Sequence, residues 1–207
     1  ARRLDLAPDS LTLDALPNDA IAVIVDPELI TLSALRPDVL IDARLKKADL
    51  ETRVADAPLV IGLGPGFIAG VHAHVVIETN RGHDLGRVIT SGAAEPDTGV
   101  PGEIAGHTAG RVFRATRAGR FESTRSIGEM LDANEIVGTV SDEPVVAAIA
   151  GVLRGLLHPG IEVEAGTKLG DIDPRARREH CVTLTDKTRT ISGGVLEAIL
   201  AWLKNRP

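Results

Sequence analysis

The 207-residue chain is long enough for one large domain or two small ones, and its 43% hydrophobic content can bury a substantial core. Only 2% of residues are aromatic, so Val, Ile, Leu and Ala must fill that core. The net charge of −6 argues against a phosphate-backbone binder, and no nucleic-acid partner is expected. No apolar run approaches the roughly 20 residues needed to span a bilayer, and no signal peptide is evident, so no membrane partner is expected. One cysteine, Cys181, excludes an internal disulfide framework and fits a cytoplasmic setting. Residue 1 is Ala and the single methionine is Met130, so the chain is expected to lack its natural start.

From residue 20 the pattern predicts an α/β layer over residues 1–108, a partial Rossmann-like arrangement with a mostly parallel sheet. Ile21–Val25 reads as a continuous apolar strand ending at Asp26-Pro27, followed by a short helix from Glu28 to about Leu35 that stops before Pro37. Val39–Ile41 and Leu59–Leu63 read as further strands of a sheet covered on both faces. If these run parallel, Asp26, Asp42 and the Gly62–Gly66 loop share the carboxyl edge, where open α/β sheets bind ligands. The alternative for either aspartate is a turn cap.

The stretch from Pro58 to Val88 is the most informative. An apolar run ends in Gly62, Gly64 and Gly66, with Pro65 between the last two and Phe67 after them. Glycine tolerates positive φ and carries no Cβ, so this loop serves either as a plain tight turn or as a phosphate cradle. It is not the dinucleotide fingerprint, which would need glycine where Phe67 stands. A second β-rich run, Val71–Ile77, places His72 and His74 on one face of a strand, a spacing compatible with a metal. No cysteine or carboxylate joins them at ligand spacing, and no metal is expected. The run empties into Glu78, Arg81, His83 and Arg87, whose donors suit phosphate or carboxylate. With the glycine turn they form the expected site for an anionic ligand. Glu103, between Gly102 and Ile104, reads equally as a general base or an ion-pair partner.

Residues 109–175 contain an internal repeat. A shift of 32 positions carries Ala115, Gly119, Gly128 and Gly138 onto Ala147, Gly151, Gly160 and Gly170, and apolar positions follow. Matching glycines and apolar positions predict two copies packed on one core, related by an approximate two-fold axis with the glycines in equivalent turns. Residues 176–207 are expected to pack back as a strand around Val182 and Leu184, a Gly193-Gly194 break, and an amphipathic helix from about Val195 to Lys204. Its apolar face is Val195, Leu196, Ile199, Leu200 and Leu203, with Trp202 at an interface. Cys181 reads as buried and inert.

Two resemblances follow from these phrases. "VFRATRAGRF…SIGEMLDANEIVGTV" and "EPVVAAIAGVLRGLLHPGIEVEAGTKLGDI" resemble the barrel-sandwich hybrid fold of biotinyl and lipoyl carrier domains. Those carriers hold their cofactor on a lysine at the hairpin tip joining the halves. Here the junction is Val140-Ser141-Asp142-Glu143-Pro144, and the repeat's one lysine is Lys168, so a swinging-arm carrier is not expected. "LVIGLGPGF", "VIETNRGHDLGRV", "DTGVPGEIAGHT", "EPVVAAIAGVLRGLL" and "ISGGVLEAIL" resemble accessory proteins of the selenium-dependent molybdenum hydroxylase system. That resemblance implies a maturation role, with a molybdenum hydroxylase as partner and an anionic small molecule or cofactor precursor as ligand. Members of that family normally begin with a further glycine-containing α/β segment, which is expected to be missing ahead of Ala1. The family's pathway also raises a sulfur-handling or metal-thiolate role for Cys181. The alternatives are a non-catalytic module docking on the hydroxylase, or a small-molecule enzyme using Glu103 or His83. The sequence names no cofactor and leaves open whether the protein is an enzyme.

Overall fold

A computed structural model describes residues 2–3, 21–27, 29–47, 50–99 and 102–206. The fold is sheet-rich, of mixed α/β and β character, and divides into two compact units: residues 1–97 with 187–207, and residues 98–186. The first boundary thus falls before the expected one at 108, and the C-terminal helix belongs to the first unit.

In the first unit, β1 (Arg2–Arg3) pairs in parallel with β2 (Ala22–Val23). Helix α1 covers Ile30–Leu35. The strands β3 (Val39–Asp42), β4 (Leu59–Leu63), β5 (Ile68–Ala69), β6 (Val75–Ile77), β7 (Val88–Ile89) and β8 (Gly92–Ala93) follow. The main sheet has the order β3-β4-β6-β7, with the first two pairings parallel and the last antiparallel. Strand β4 is buried along its whole length because both faces are covered. Val60 joins Phe67, Ala73 and Val76 on one side. Leu59, Ile61 and Leu63 join Ile77 and Ala198 on the other. The link from β4 to β6 passes through β5, which pairs with β8, and not through a long helix.

Three expectations are corrected here. Strand β2 does not join the main sheet, and Ile21, Val23 and Val25 are exposed, so the run at 21–25 is not a core strand. Asp26 is therefore not at the sheet edge. Its carboxylate accepts hydrogen bonds from the Ile30 and Thr31 amides (2.9 and 2.8 Å) and from the Thr31 hydroxyl, which holds its pKa below 3.8. The cap is its role. The expected helix start at Glu28 lies outside the described residues. The third correction is the strand expected from Val71: residues 71–72 form a turn, Ala73 makes only an isolated bridge to Ala69, and the strand starts at Val75.

The second unit runs β9 (Val112–Arg114), β10 (Gly119–Glu122), β11 (Met130–Leu131), β12 (Ile136–Val140), β13 (Glu143–Val146), β14 (Gly151–Leu156), β15 (Glu162–Val163) and β16 (Lys168–Asp173). Its two four-stranded sheets have the orders β13-β12-β10-β15 and β9-β16-β14-β11. Exchanging each strand for its partner one repeat away converts the first order into the second. The bulges coincide as well, between Ile136 and Gly138 in β12 and between Lys168 and Gly170 in β16. The two copies share one core that includes Phe113, Phe121, Leu131, Val137, Leu153, Val163 and Leu169. Gly128 and Gly160 occupy equivalent turns with φ of 97° and 87°. Gly138 and Gly170 are equivalent but sit inside strands at the bulges, not in turns.

Helix α2 spans Asp186–Lys204 without interruption. The expected break at Gly193-Gly194 is absent, because Gly194 is there for close packing: an added Cβ would strike the Gly86 carbonyl and come within 3.1 Å of Ile77. The inward face is Ile191, Val195, Ala198, Ile199 and Trp202, while Leu196, Leu200 and Leu203 are exposed. Trp202 packs on the first unit's core beneath the Arg206 guanidinium, 4.9 Å from its ring centroid. The strand expected before the helix is instead a 3-10 turn, Arg178–Cys181, with Val182 and Leu184 exposed.

Candidate functional site

Parallel pairing in register sets Asp42 beside Gly62, and Leu63 beside Ile77. The carboxyl ends of β3, β4 and β6 therefore lie together, and the residues that follow them form one edge of the first unit. Asp42 is 5% exposed. Burial pushes its pKa up, but the Arg44 guanidinium and the Thr52 hydroxyl outweigh burial and hold it below 3.8. Arg44 donates twice to it through Nε and once through Nη2 (3.1, 3.2 and 2.7 Å), and Thr52 donates at 2.6 Å. Its acceptor positions are committed internally.

The glycine turn is filled by protein. Phe67 is fully buried, and its ring lies where a Cβ on Gly62 would sit, 2.5 Å away at the nearest Cδ. A Cβ on Gly64 would be 2.5 Å from the Thr79 hydroxyl, and one on Gly66 would be 2.8 Å from the Lys47 carbonyl oxygen. The Gly64 amide donates to Ile77 O at 2.9 Å, and Pro65 is half-buried. Gly64 and Gly66 take φ of 80° and 98°. Gly64→Val is therefore expected to cost about 2 kcal/mol or more, combining left-handed strain with overlap on Thr79. Urea unfolding of the purified variant checks it.

The segment after β6 closes into a loop. Glu78 N donates to Arg87 O (3.0 Å), and Gly86 N donates to Glu78 O (2.9 Å). Glu78 is 3% exposed, and its carboxylate accepts the amides of Thr79, Asn80 and Glu95 at 2.7, 2.8 and 2.7 Å. A row of backbone donors of this kind is an anion nest. Here an internal carboxylate occupies it. Arg81, His83 and Arg87 are exposed on the same loop. Arg87 pairs with Asp84 at 3.5 Å. A depression of about 380 Å³ lined by Arg87, Val88, Thr90 and Ser91 borders this loop. Glu103 is exposed in the second unit, beside the Ile104–His107 bridge.

The histidines do not share a strand face. Nδ1 of His72 accepts the Ile68 amide at 3.1 Å, and Nδ1 of His74 accepts the Val60 amide at 3.0 Å. Both rings thus serve backbone amides, one in β4 and one in β5. Among the described residues, no group of three or more His, Cys, Asp or Glu is arranged to hold a metal ion. No helix among them is long and apolar enough to cross a membrane.

Sequence reasoning passed over a second polar centre. Asp173, fully buried at the end of β16, accepts Arg175 Nε and Nη2 at 2.9 and 2.6 Å. Arg154 Nη1 and His180 Nδ1 lie 3.8 and 3.5 Å from the same carboxylate. The Arg175 hydrogen bonds hold its pKa down at about 2. Cys181 is partly exposed, not buried as expected, and its thiol donates to Leu153 O at 3.8 Å. The one legible signal was the D-x-R spacing, which recurs at Asp42–Arg44.

Comparison with known proteins adds one relative. The Escherichia coli (strain K12) protein described as uncharacterized protein YqeB is 47% identical over 180 residues. The match covers 87% of this chain and 33% of that protein, so the chain spans about a third of the relative's length. No family model matches the chain. No solved structure matches it.

Proposed function

We propose that this chain belongs to an accessory factor that assists maturation of a selenium-dependent molybdenum hydroxylase. In this reading the carboxyl edge of the first unit binds an anionic cofactor or precursor. The observation that carries the ligand half is the in-register parallel pairing of β3, β4 and β6, which gathers the glycine turn and the Glu78–Arg87 loop at one edge. The pathway half rests on the sequence resemblance. Because Glu78 already fills the amide nest, the ligand contacts are assigned to side chains, with Arg81, His83 and Arg87 as donors.

The second unit reads as a barrel-sandwich hybrid that docks on the hydroxylase. Its internal two-fold fits that fold, and the tip between β12 and β13 carries Ser141 and Asp142, both at positive φ, where a carrier would carry its lysine. The second reading, a non-catalytic docking module with no ligand, is favoured by the same Glu78 observation. Titration with inorganic phosphate and pyrophosphate separates the two, since a ligand that binds only the native state must raise its stability. Arg81→Ala is expected to weaken anion binding at least about tenfold, roughly 1.4 kcal/mol, while leaving the fold intact. Unchanged affinity in that variant, measured by calorimetry, overturns the assignment. Mass spectrometry of material co-purifying with the intact protein identifies the natural ligand.

A further inference from the structure

The segment following β8 runs along the proposed ligand edge. At its start the Glu95 amide donates to the Glu78 carboxylate at 2.7 Å, and the Asn80 side-chain amide donates to the Glu95 carboxylate. Two residues on, past Pro96, the Asp97 carboxylate accepts a hydrogen bond from the Lys47 ammonium. Lys47 belongs to the connection after β3, and its backbone lies against Gly66, close enough that a Cβ there would sit 2.8 Å from its carbonyl oxygen. Asn80 follows Thr79, whose hydroxyl lies where a Cβ on Gly64 would come within 2.5 Å of it. Glu95 and Asp97 are thus seated on the two flanks of the glycine turn, one on the β6 side and one on the β3 side.

We propose that Glu95 and Asp97 form an internal acidic strap that stands in for the ligand and competes with it. This rests on the reading of the edge as an anion site. The chemistry is that of two carboxylates held a residue apart, each on a donor that would serve an incoming anion: an amide N–H on Asn80 and an ammonium on Lys47. The matching ligand class is a small molecule with two linked anionic groups, such as an organic diphosphate. The strap is suited to exchange. The side chains of Lys47 and Asp97 are 53% and 40% exposed, and ion pairs at that exposure are weakly held. Glu95 is also exposed. Pro96 restricts the backbone between them, so releasing one carboxylate loosens the other. The strap adds Lys47 and Asn80 to the ligand contacts, neither of which the motif pattern singled out.

Pyrophosphate titrated by calorimetry into the whole chain tests this. In Glu95→Gln/Asp97→Asn, which keeps the side-chain shapes and removes both charges, affinity is expected to rise at least about tenfold over the parent. Adding Lys47→Ala to that variant is expected to lose the gain. A charge control, Glu162→Gln/Glu164→Gln at exposed positions of the second unit, is expected to leave affinity within about twofold. An equal gain in the control shows that net charge alone acts, and the strap is overturned. Parent and strap variant binding pyrophosphate alike, with Arg81→Ala still weakening both, overturns the strap and leaves the anion site standing. No binding to the parent, the strap variant or any other removes the anion site and the strap together. Circular dichroism of each variant confirms folding before titration.

Discussion

Gly170→Val is expected to unfold the second unit or to cost it at least about 3 kcal/mol. A Cβ at Gly170 would strike the Gly155 carbonyl oxygen and the Phe113 ring, with Cε2 2.9 Å away. Neither can yield cheaply: Gly155 is locked in the β14–β16 ladder, and Phe113 is 6% exposed within the shared core. Overpacking of a closed core costs about 1–3 kcal/mol, and a clash with backbone adds to that. The internal two-fold predicts a matching effect at Gly138, where a Cβ would lie 2.5 Å from Glu122 O and 2.8 Å from the Phe121 ring. Gly128→Ala is the contrast. Its φ is 97° but nothing lies within 4 Å, so the cost is about 1 kcal/mol from backbone strain alone. The chain has two units and its single Trp lies in the first, so two-state fluorescence is unsuitable. Hydrogen exchange across residues 112–173 in rising urea reads the second unit directly. Equal protection in Gly170→Val and the parent would refute the packing.

Asp173→Ala is expected to cost the second unit about 3 kcal/mol at neutral pH. Asp173 is fully buried and holds Arg175 through two side-chain bonds and a backbone bond, with Arg154 and His180 beside it. Removing one member of a buried pair leaves the other charge uncompensated, a loss of about 3–5 kcal/mol when both are enclosed. Arg175 is 41% exposed, and solvent relieves part of its loss, which sets the expectation at the lower end. The pH dependence has a defined sign. A carboxyl held at about 2 when folded, against 3.8 ordinarily, stabilises the native state above that ordinary value. The contribution declines as pH falls from about 4 and is gone below about 2, where both states are protonated. The parent and Asp173→Asn should therefore differ most near neutrality and converge towards pH 2. A constant gap down to that pH, measured by exchange within β14 and β16, would show that Asp173 acts through shape and not charge.

Asp42 repeats the arrangement in the first unit, and the repetition shows what a local pattern can reveal. The D-x-R spacing is visible in the chain, but that Asp42 closes onto Thr52 and Asp173 onto Arg154 and His180 depends on segments brought from elsewhere.

By itself the sequence determined what rests on periodicity. The recurrence of glycine and apolar positions 32 residues apart was enough to require two copies of one strand order, because each copy exposes a face that only its partner can cover. The unbroken apolar run at Leu59–Leu63 required a strand covered on both faces, and so it is. Tertiary structure alone decided what occupies the spaces that glycines leave. At Gly62, Gly64 and Gly66 the neighbours are Phe67, Thr79 and Lys47, and at Gly194 the neighbour is Gly86. Glycine announces a close approach without saying whether ligand, side chain or backbone makes it. For the same reason Gly193-Gly194 read as a helix break, whereas Gly194 is the close contact of α2 with Gly86 and Ile77 and Gly193 faces open space. Backbone amides take whichever acceptor the fold brings to them: the Glu95 amide finds the Glu78 carboxylate and the Val60 amide finds the ring of His74, across gaps no local pattern spans.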